Sequence, residues 1–224
     1  MKIGFTNIPP NYDQVLTDDG SYTLYSKHFD ENCHSTSGAD GETEKYFLID
    51  SNLKDDIQNS KCVFEVGFGL GKNFLAVKKM CDEQASSLHF ISTEIDFNLV
   101  YWFFKEYFDI EKEKSEIIEH QFENIKLTIL IGDAIETTPK YFNTHKTLID
   151  KIFQDAFSPK KNPTLWTKSW FDCLRSFSSS TVILTTYSAS HSIRENLKLA
   201  GWSIENLKGF GRKKSATKAT LNNE

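Results

Sequence analysis

Residues 62–80 constrain the fold most. Cys62-Val63-Phe64-Glu65-Val66 is a short apolar run with β-branched and aromatic residues, the pattern of a buried strand. Gly67, Gly69 and Gly71 follow at alternate positions, making a tight turn where no side chain blocks a ligand. Asn73 to Met80 then carries Phe74, Leu75, Val77 and Met80 at spacings that fit a helix. Strand, glycine turn and helix in this order predict an open α/β sheet. At such a turn, backbone N–H groups are presented to a nucleotide-like ligand.

The spacing narrows the ligand. The dinucleotide fingerprint is G-x-G-x-x-G, whereas here the order is G-x-G-x-G and Lys72 occupies the place of the third glycine. Asn73 follows Lys72, so there is no G-K-[ST] and no phosphate-cradling loop. A tight turn that binds nothing is the plain alternative. An acid in the first strand followed by G-x-G-x-G resembles the S-adenosylmethionine site of Rossmann-like methyltransferases. That resemblance implies cofactor contacts from Glu65, Gly67, Phe68, Gly69, Gly71 and Asn73.

Further along the chain, more acids fall at strand ends. Leu88–Glu94 reads as the second strand, and Glu94 stands where a carboxylate accepts hydrogen bonds from a ribose diol. Ile125–Ile131 reads as the third strand and ends in Gly132-Asp133-Ala134. Asp133 suits an adenine amine, a helix N-cap, or both. Ile149–Gln154 reads as the fourth strand, which directs Asp155 into the crevice shared with Gly67 and Glu94. Phe97 to Tyr107 is an aromatic-rich helix, and the charged stretch Glu111 to Glu119 reads as a solvated helix face. Asn162-Pro163 starts a helix carrying Leu165, Trp166, Trp170, Cys173, Leu174 and Phe177 inward. Thr181–Thr186 is a fifth strand, Ser192 and Glu195 have capping-box spacing, Gly201 stops that helix, and Trp202–Leu207 is a sixth strand.

The two ends have a different texture. Residues 1–60 are expected to form an extension with a hairpin around Asp18-Asp19-Gly20-Ser21, a polar loop from His34, and a helix within Glu42 to Ser51. This extension is either a surface cap or a substrate-side lid to which His34 and Glu42 contribute polar contacts. Residues 61–224 form the core, ending in a basic segment with Lys208, Arg212, Lys213, Lys214 and Lys218 and no acid among them. The formal net charge is −5, so nucleic acid requires such a local patch; a solubilising tail is the alternative.

Cysteine use fits a reduced compartment. Cys33, Cys62, Cys81 and Cys173 are scattered without a C-x-x-C pair, which predicts a cytoplasmic protein with neither disulfides nor a metal site. No apolar run approaches a membrane span, and no exposed apolar stripe is left over, which favours a monomer.

Four stretches together resemble one family. They are Val66 to Leu75, Leu88 to Glu94, Asp155-Ala156-Phe157-Ser158-Pro159-Lys160-Lys161-Asn162-Pro163 with Leu165-Trp166-Thr167, and Gly209-Phe210-Gly211-Arg212-Lys213. The chain resembles the MnmC-type methyltransferase domain, which completes wobble-uridine modification in bacterial tRNA. The resemblance implies methyl transfer from S-adenosylmethionine to the primary amine of 5-aminomethyl-2-thiouridine. It implies a cofactor held by the glycines, Glu94 and Asp133, with Asp155 as the active-site acid also beside the cofactor. It further implies tRNA contacts from His34, Lys160, Lys161, Phe210, Arg212, Lys213 and Lys214; Phe210 either packs on the base or anchors its loop. With 224 residues and a single nucleotide fingerprint, the expectation is a stand-alone methyltransferase without a flavin-dependent oxidase. The polar stretch Ser215 to Thr220 departs from the family pattern and predicts a weak or shifted final strand. The rival readings are a small-amine methyl- or aminopropyl-transferase of the same fold, and a non-catalytic tRNA-binding protein.

Overall fold

The computed structural model describes residues 4–221. Two sheets organise them. The N-terminal sheet is antiparallel, in the order β1 (Tyr12–Leu16), β2 (Tyr22–Ser26), β3 (Glu31–Asn32). It leads through α1 (Ala39–Thr43), a π-helical turn over Glu44–Ile49 and α2 (Leu53–Asp56) into the main sheet.

The main sheet is built from β4 (Cys62–Val66), α3 (Lys72–Gln84), β5 (Leu88–Glu94), α4 (Phe97–Phe108), β6 (Ile117–Gln121), β7 (Ile125–Ile131), α5 (Ala134–His145) and β8 (Ile149–Gln154). A 3-10 turn over Pro163–Trp166, α6 (Lys168–Ser176), β9 (Ser178–Thr186), α7 (His191–Leu199), β10 (Trp202–Lys208) and β11 (Ser215–Leu221) complete it. The strand order is β10-β11-β9-β8-β4-β5-β7-β6. Strands β7, β5, β4, β8 and β9 run parallel, while β6 and β11 pair antiparallel to their neighbours.

Both faces of this sheet are buried, so its strands are continuously apolar rather than alternating. On β4, Val63 joins the core shared with Phe74 and Phe103. Cys62, Phe64 and Val66 join the opposite core, with Phe142, Trp170 and Phe171. Helix α4 contributes Leu99, Val100, Trp102, Phe103 and Phe104 to the first core, and burying each such side chain is worth roughly 1.5–3 kcal/mol.

Topology fixes where a ligand can sit. From β4 the chain builds outward through β5 to β7, then returns to the other side of β4 as β8. The order therefore reverses between β4 and β8, and ligands of open α/β sheets bind at the carboxyl ends beside such a reversal. Register does the rest. Val66 pairs with both Thr93 and Gln154, so Gly67, Glu94 and Asp155 come next, side by side.

Four expectations are corrected. Glu111 to Glu119 is not a helix; its last residues enter edge strand β6, which pairs along β7 from Ile117–Leu130 to Gln121–Lys126. An edge strand with one solvated face places charges at intervals that mimic a helix surface. The helix after Asn162 is two elements: a 3-10 turn, then α6, whose N-cap Thr167 accepts a hydrogen bond from the Trp170 N–H. Helix α7 is capped by Ser190, which accepts from the Ile193 N–H, instead of by Ser192. The final strand is neither weak nor shifted: β11 pairs over seven residues with β10 and lies between it and β9. Its polar residues find partners beyond the strand ladder, as when buried Thr217 donates its hydroxyl to the Ser188 carbonyl in the loop after β9.

Candidate active site

A cavity of about 480 Å³ opens at the carboxyl ends of β4, β5, β7 and β8. Its floor is the turn after β4. Gly67 and Gly69 both have positive φ, at 95° and 53°. A Cβ on Gly67 would press on the Asp155 backbone, whereas one on Gly69 would point into open space. Gly69 therefore leaves room that any side chain would reduce. Its N–H donates to Glu94 Oε2 at 2.9 Å, and Glu94 Oε1 accepts from the Asp96 N–H at 3.0 Å. Burial pushes the Glu94 carboxyl up to about 7, against these two N–H donors, which favour its ionised form.

The reactive corner is acidic. Asp155 Oδ2 accepts a hydrogen bond from Asn73 Nδ2 at 2.9 Å. Burial, then the carboxylates of Glu42 and Glu65, push the Asp155 carboxyl well above the usual range; Asn73 and Lys213 oppose the shift. Above it, Lys213 Nζ lies 3.0 Å from Glu42 Oε1 and 3.8 Å from the centre of the Tyr187 ring. Tyr187 in turn donates its hydroxyl to the Ala156 carbonyl.

Both ends of the chain roof the cavity. From the N-terminal segment, Tyr12, residues 31–37 and Glu42 line it. The segment is fastened to the loop after β8: Phe29 stacks on Phe157, Glu31 accepts from the N–H and hydroxyl of Ser158, and Lys161 pairs with Asp30 at 2.8 Å. From the other end, β10 runs parallel to β9, so the loop between β10 and β11 emerges on the ligand side. Phe210 lies against Gly41, where a Cβ would overlap its ring, and its N–H donates to the Tyr46 hydroxyl. Of the two readings for Phe210, these contacts are those of a loop anchor.

The structure brings together Gly67, Phe68, Gly69, Glu94, Asp133, Asp155, His34, Arg212 and Lys213 around one cavity. Asp133 also caps α5, accepting from the Ile135 N–H. His34 faces Thr23 Oγ1 at 3.1 Å; burial, then Lys72, holds its imidazole down at about 3, so it is neutral at pH 7. Glu65, Gly71 and Asn73 stand behind the lining. Gly71 has φ 69° and abuts the rings of Phe103 and Phe68. Glu65 and Asn73 are buried and bonded to each other at 2.9 Å. Lys160, Lys161 and Lys214 lie outside the lining; Arg212 is 83% exposed at its rim and reaches Asp18, at 3.5 Å. Sequence reasoning missed Tyr12, Glu31, Cys33 and Tyr187, none of which sits in a spaced motif; the fold alone gathers them.

Comparison with known proteins agrees with this geometry. A family model described as S-adenosyl-L-methionine-dependent methyltransferase matches residues 97–222, more than half the chain. The chain belongs to that family. Its methyl donor is S-adenosyl-L-methionine. Similar proteins include the tRNA 5-methylaminomethyl-2-thiouridine biosynthesis bifunctional protein MnmC of Leptospira interrogans, 29% identical over 219 residues, covering 89% of this chain and 34% of that protein. The protein of the same description from Methylobacillus flagellatus is 27% identical, covering 93% and 35%. The chain thus spans about a third of the length of these curated relatives. The crystal structure of MnmC2 from Aquifex aeolicus superposes with a TM-score of 0.78 at 26% identity, over 97% of this chain and 73% of that one. Among the described residues, no helix is long and apolar enough to cross a membrane and no side-chain cluster is arranged for a metal ion.

Proposed function

We propose that this methyltransferase acts on the amine of 5-aminomethyl-2-thiouridine at the wobble position of tRNA. The observation that carries the reading is Asp155, a carboxyl of raised basicity at the strand-order reversal, one residue beyond the register that aligns it with Gly67. The printed descriptions of the MnmC relatives support the substrate class. Residues 61–224 would form the catalytic unit and the preceding residues its substrate-side lid.

The cavity suits this cofactor. The glycine turn is open at Gly69 and offers backbone instead of a phosphate-binding cation, since Lys72 is engaged with Asp40. Gly67, Phe68 and Gly69 would hold its methionine and ribose, Glu94 the ribose diol, and Asp133 the adenine side. When bound, S-adenosylmethionine supplies a methyl group on a sulfonium sulfur, open to attack by a neutral amine.

Asp155 addresses the amine's protonation. An alkyl ammonium has a pKa of about 10 and no lone pair while protonated. An ordinary aspartate is a weak base for it. Burial with Glu42 and Glu65 nearby narrows that gap, and proton transfer improves as the two basicities approach. Oδ2 is held by Asn73, so Oδ1 orients the nitrogen and takes its proton, directly or through one water. With substrate bound, the roof would limit the access of water and keep the reacting atoms about 3–3.5 Å apart. Arg212, Lys213 and Lys214 would meet the tRNA backbone from the β10–β11 loop, with Lys160 and Lys161 on the facing loop.

The test is transfer of labelled methyl from S-adenosylmethionine to tRNA purified from cells lacking the endogenous wobble methyltransferase. The expected result is label on the wobble nucleoside, with Asp155→Ala lowering the rate at saturating cofactor by about 10²–10⁴. Label only on free small amines, or an undiminished rate in Asp155→Ala, overturns the proposal.

A further inference from the structure

Behind Asp155 lies a buried polar chain whose other members stand outside the cavity lining. Asn73 Nδ2 has two N–H groups: one donates to Asp155 Oδ2 at 2.9 Å, the other to Glu65 Oε1 at 2.9 Å. Its carbonyl oxygen accepts from Thr43 Oγ1 at 2.7 Å. Glu65 Oε2 accepts from Ser92 Oγ at 2.6 Å. Glu65 and Ser92 are fully buried; Asn73 is 2% and Thr43 3% exposed. The hydroxyl donor on one side and two carboxyls on the other leave the amide a single orientation. Such an arrangement is costly to bury unless every member is satisfied.

We propose that Asn73 is a positioning residue for Asp155, its amide locked between Thr43 and Glu65, and that Glu65 acts on methyl transfer through this bridge without touching the cofactor. The inference rests on the reading of Asp155 given above. Three elements converge in it. Thr43 ends α1, Asn73 lies in the first turn of α3 and Glu65 lies on β4, so the N-terminal segment is linked to the reactive carboxyl by two hydrogen bonds. Two carboxyls sharing one amide cannot both ionise freely, and they titrate as a coupled pair. Burial, with the nearby Glu94 carboxylate, pushes Glu65 up to about 8, while Ser92 and Asn73 resist.

Other charged groups also face Asp155. Glu42 of α1 and Lys213 of the β10–β11 loop act on it with opposite sign. Cys33, after β3, and Tyr187, after β9, each feel its charge, and burial pushes both up, so they remain neutral at pH 7.

The decisive experiment uses the free full-length chain labelled with ¹³C at aspartate carboxyls, the Asp155 signal being identified from Asp155→Asn. Glu65→Gln keeps the side chain's size and removes its charge. The expected result is an Asp155 titration displaced to lower pH by on the order of one unit. An unmoved titration, or a cofactor affinity weakened tenfold with the titration unmoved, overturns the bridge. In the methyl-transfer assay, Thr43→Val should lower kcat about tenfold at unchanged KM for S-adenosylmethionine, and Thr43→Ser should restore it. A rise in KM alone overturns the positioning role. If the wild type transfers no methyl group to tRNA, the tRNA reading has failed, and the titration still judges the bridge.

Discussion

At the scale of single residues, acids in similar surroundings are asked for different work. Glu94 has its two oxygens aimed by backbone N–H groups toward the cavity. Glu94→Gln is expected to raise KM for S-adenosylmethionine at least tenfold, in line with the roughly 1.5–3 kcal/mol that a hydrogen bond to a charged group contributes. At saturating cofactor, kcat should fall much less; steady-state kinetics separates the two. Glu65 and His34 make opposite demands on stability. The folded state raises Glu65 from 4.5 to about 8, so it binds that proton more tightly than the unfolded chain does. Its contribution is complete below pH 4.5 and is lost as pH rises through 8. His34 falls from 6.5 to about 3, so its contribution is present above 6.5 and lost as pH drops through 3. Urea midpoints measured from pH 5 to 9 should therefore decline less steeply toward alkaline pH in Glu65→Gln than in the wild type. Much of this was legible in the sequence: Glu94 and Asp155 both follow apolar strands, and strand ends are where such sheets bind. The raised basicity of Asp155 was not, because Glu42 and Glu65 are distant in sequence and their approach depends on packing.

Among the elements, the glycine turn divides into two jobs. Gly71 opens α3 against Phe103, so Gly71→Ala adds both a left-handed non-glycine residue and a clash with a buried ring. The first effect costs about 1–2 kcal/mol, and overpacking adds about 1–3 kcal/mol. Gly69→Ala has only the first cost, but its methyl group enters the cavity. Thermal unfolding should rank Gly71→Ala well below Gly69→Ala, while cofactor titration should find Gly69→Ala impaired. The parallel strands could be bounded from sequence, since burial on both faces makes them uninterrupted apolar runs: Leu88–Glu94 and Ile125–Ile131 fall where expected. Elements with one wet face were harder. β6 mixes Ile118 inward with charges outward, and β11 accommodates buried Thr217 because the loop after β9 and Arg194 of α7 supply its side-chain hydrogen bonds. The break at Thr167 shows the limit of a helix start read from Asn162-Pro163 alone, since a second cap lies five residues on.

For the whole molecule, charge is arranged against its sum. The net value is −5, yet Lys160, Arg212 and Lys214 are exposed beside the cavity loops. Among the described residues Arg212 pairs with one acid, Asp18, which is itself 62% exposed, so the pair stabilises little in water and is readily exchanged for a phosphate. Affinity for tRNA should fall steeply with salt, and Arg212→Ala should reduce the slope of log K against log salt by about one without selecting among tRNAs. Filter binding from 50 to 200 mM salt measures this.

The roof joins positions 164 apart, from Tyr46 to Phe210, and 171 apart, from Glu42 to Lys213. A chain emerging from the ribosome presents β4, β5, β7 and β8 long before the β10–β11 loop exists. The crevice is therefore complete in its floor while still uncovered, and the N-terminal segment waits for the β10–β11 loop to be translated. Its reactive corner gains the cover of Lys213 only once that loop has been made, so a nascent chain has a binding surface before it has an enclosed place for chemistry.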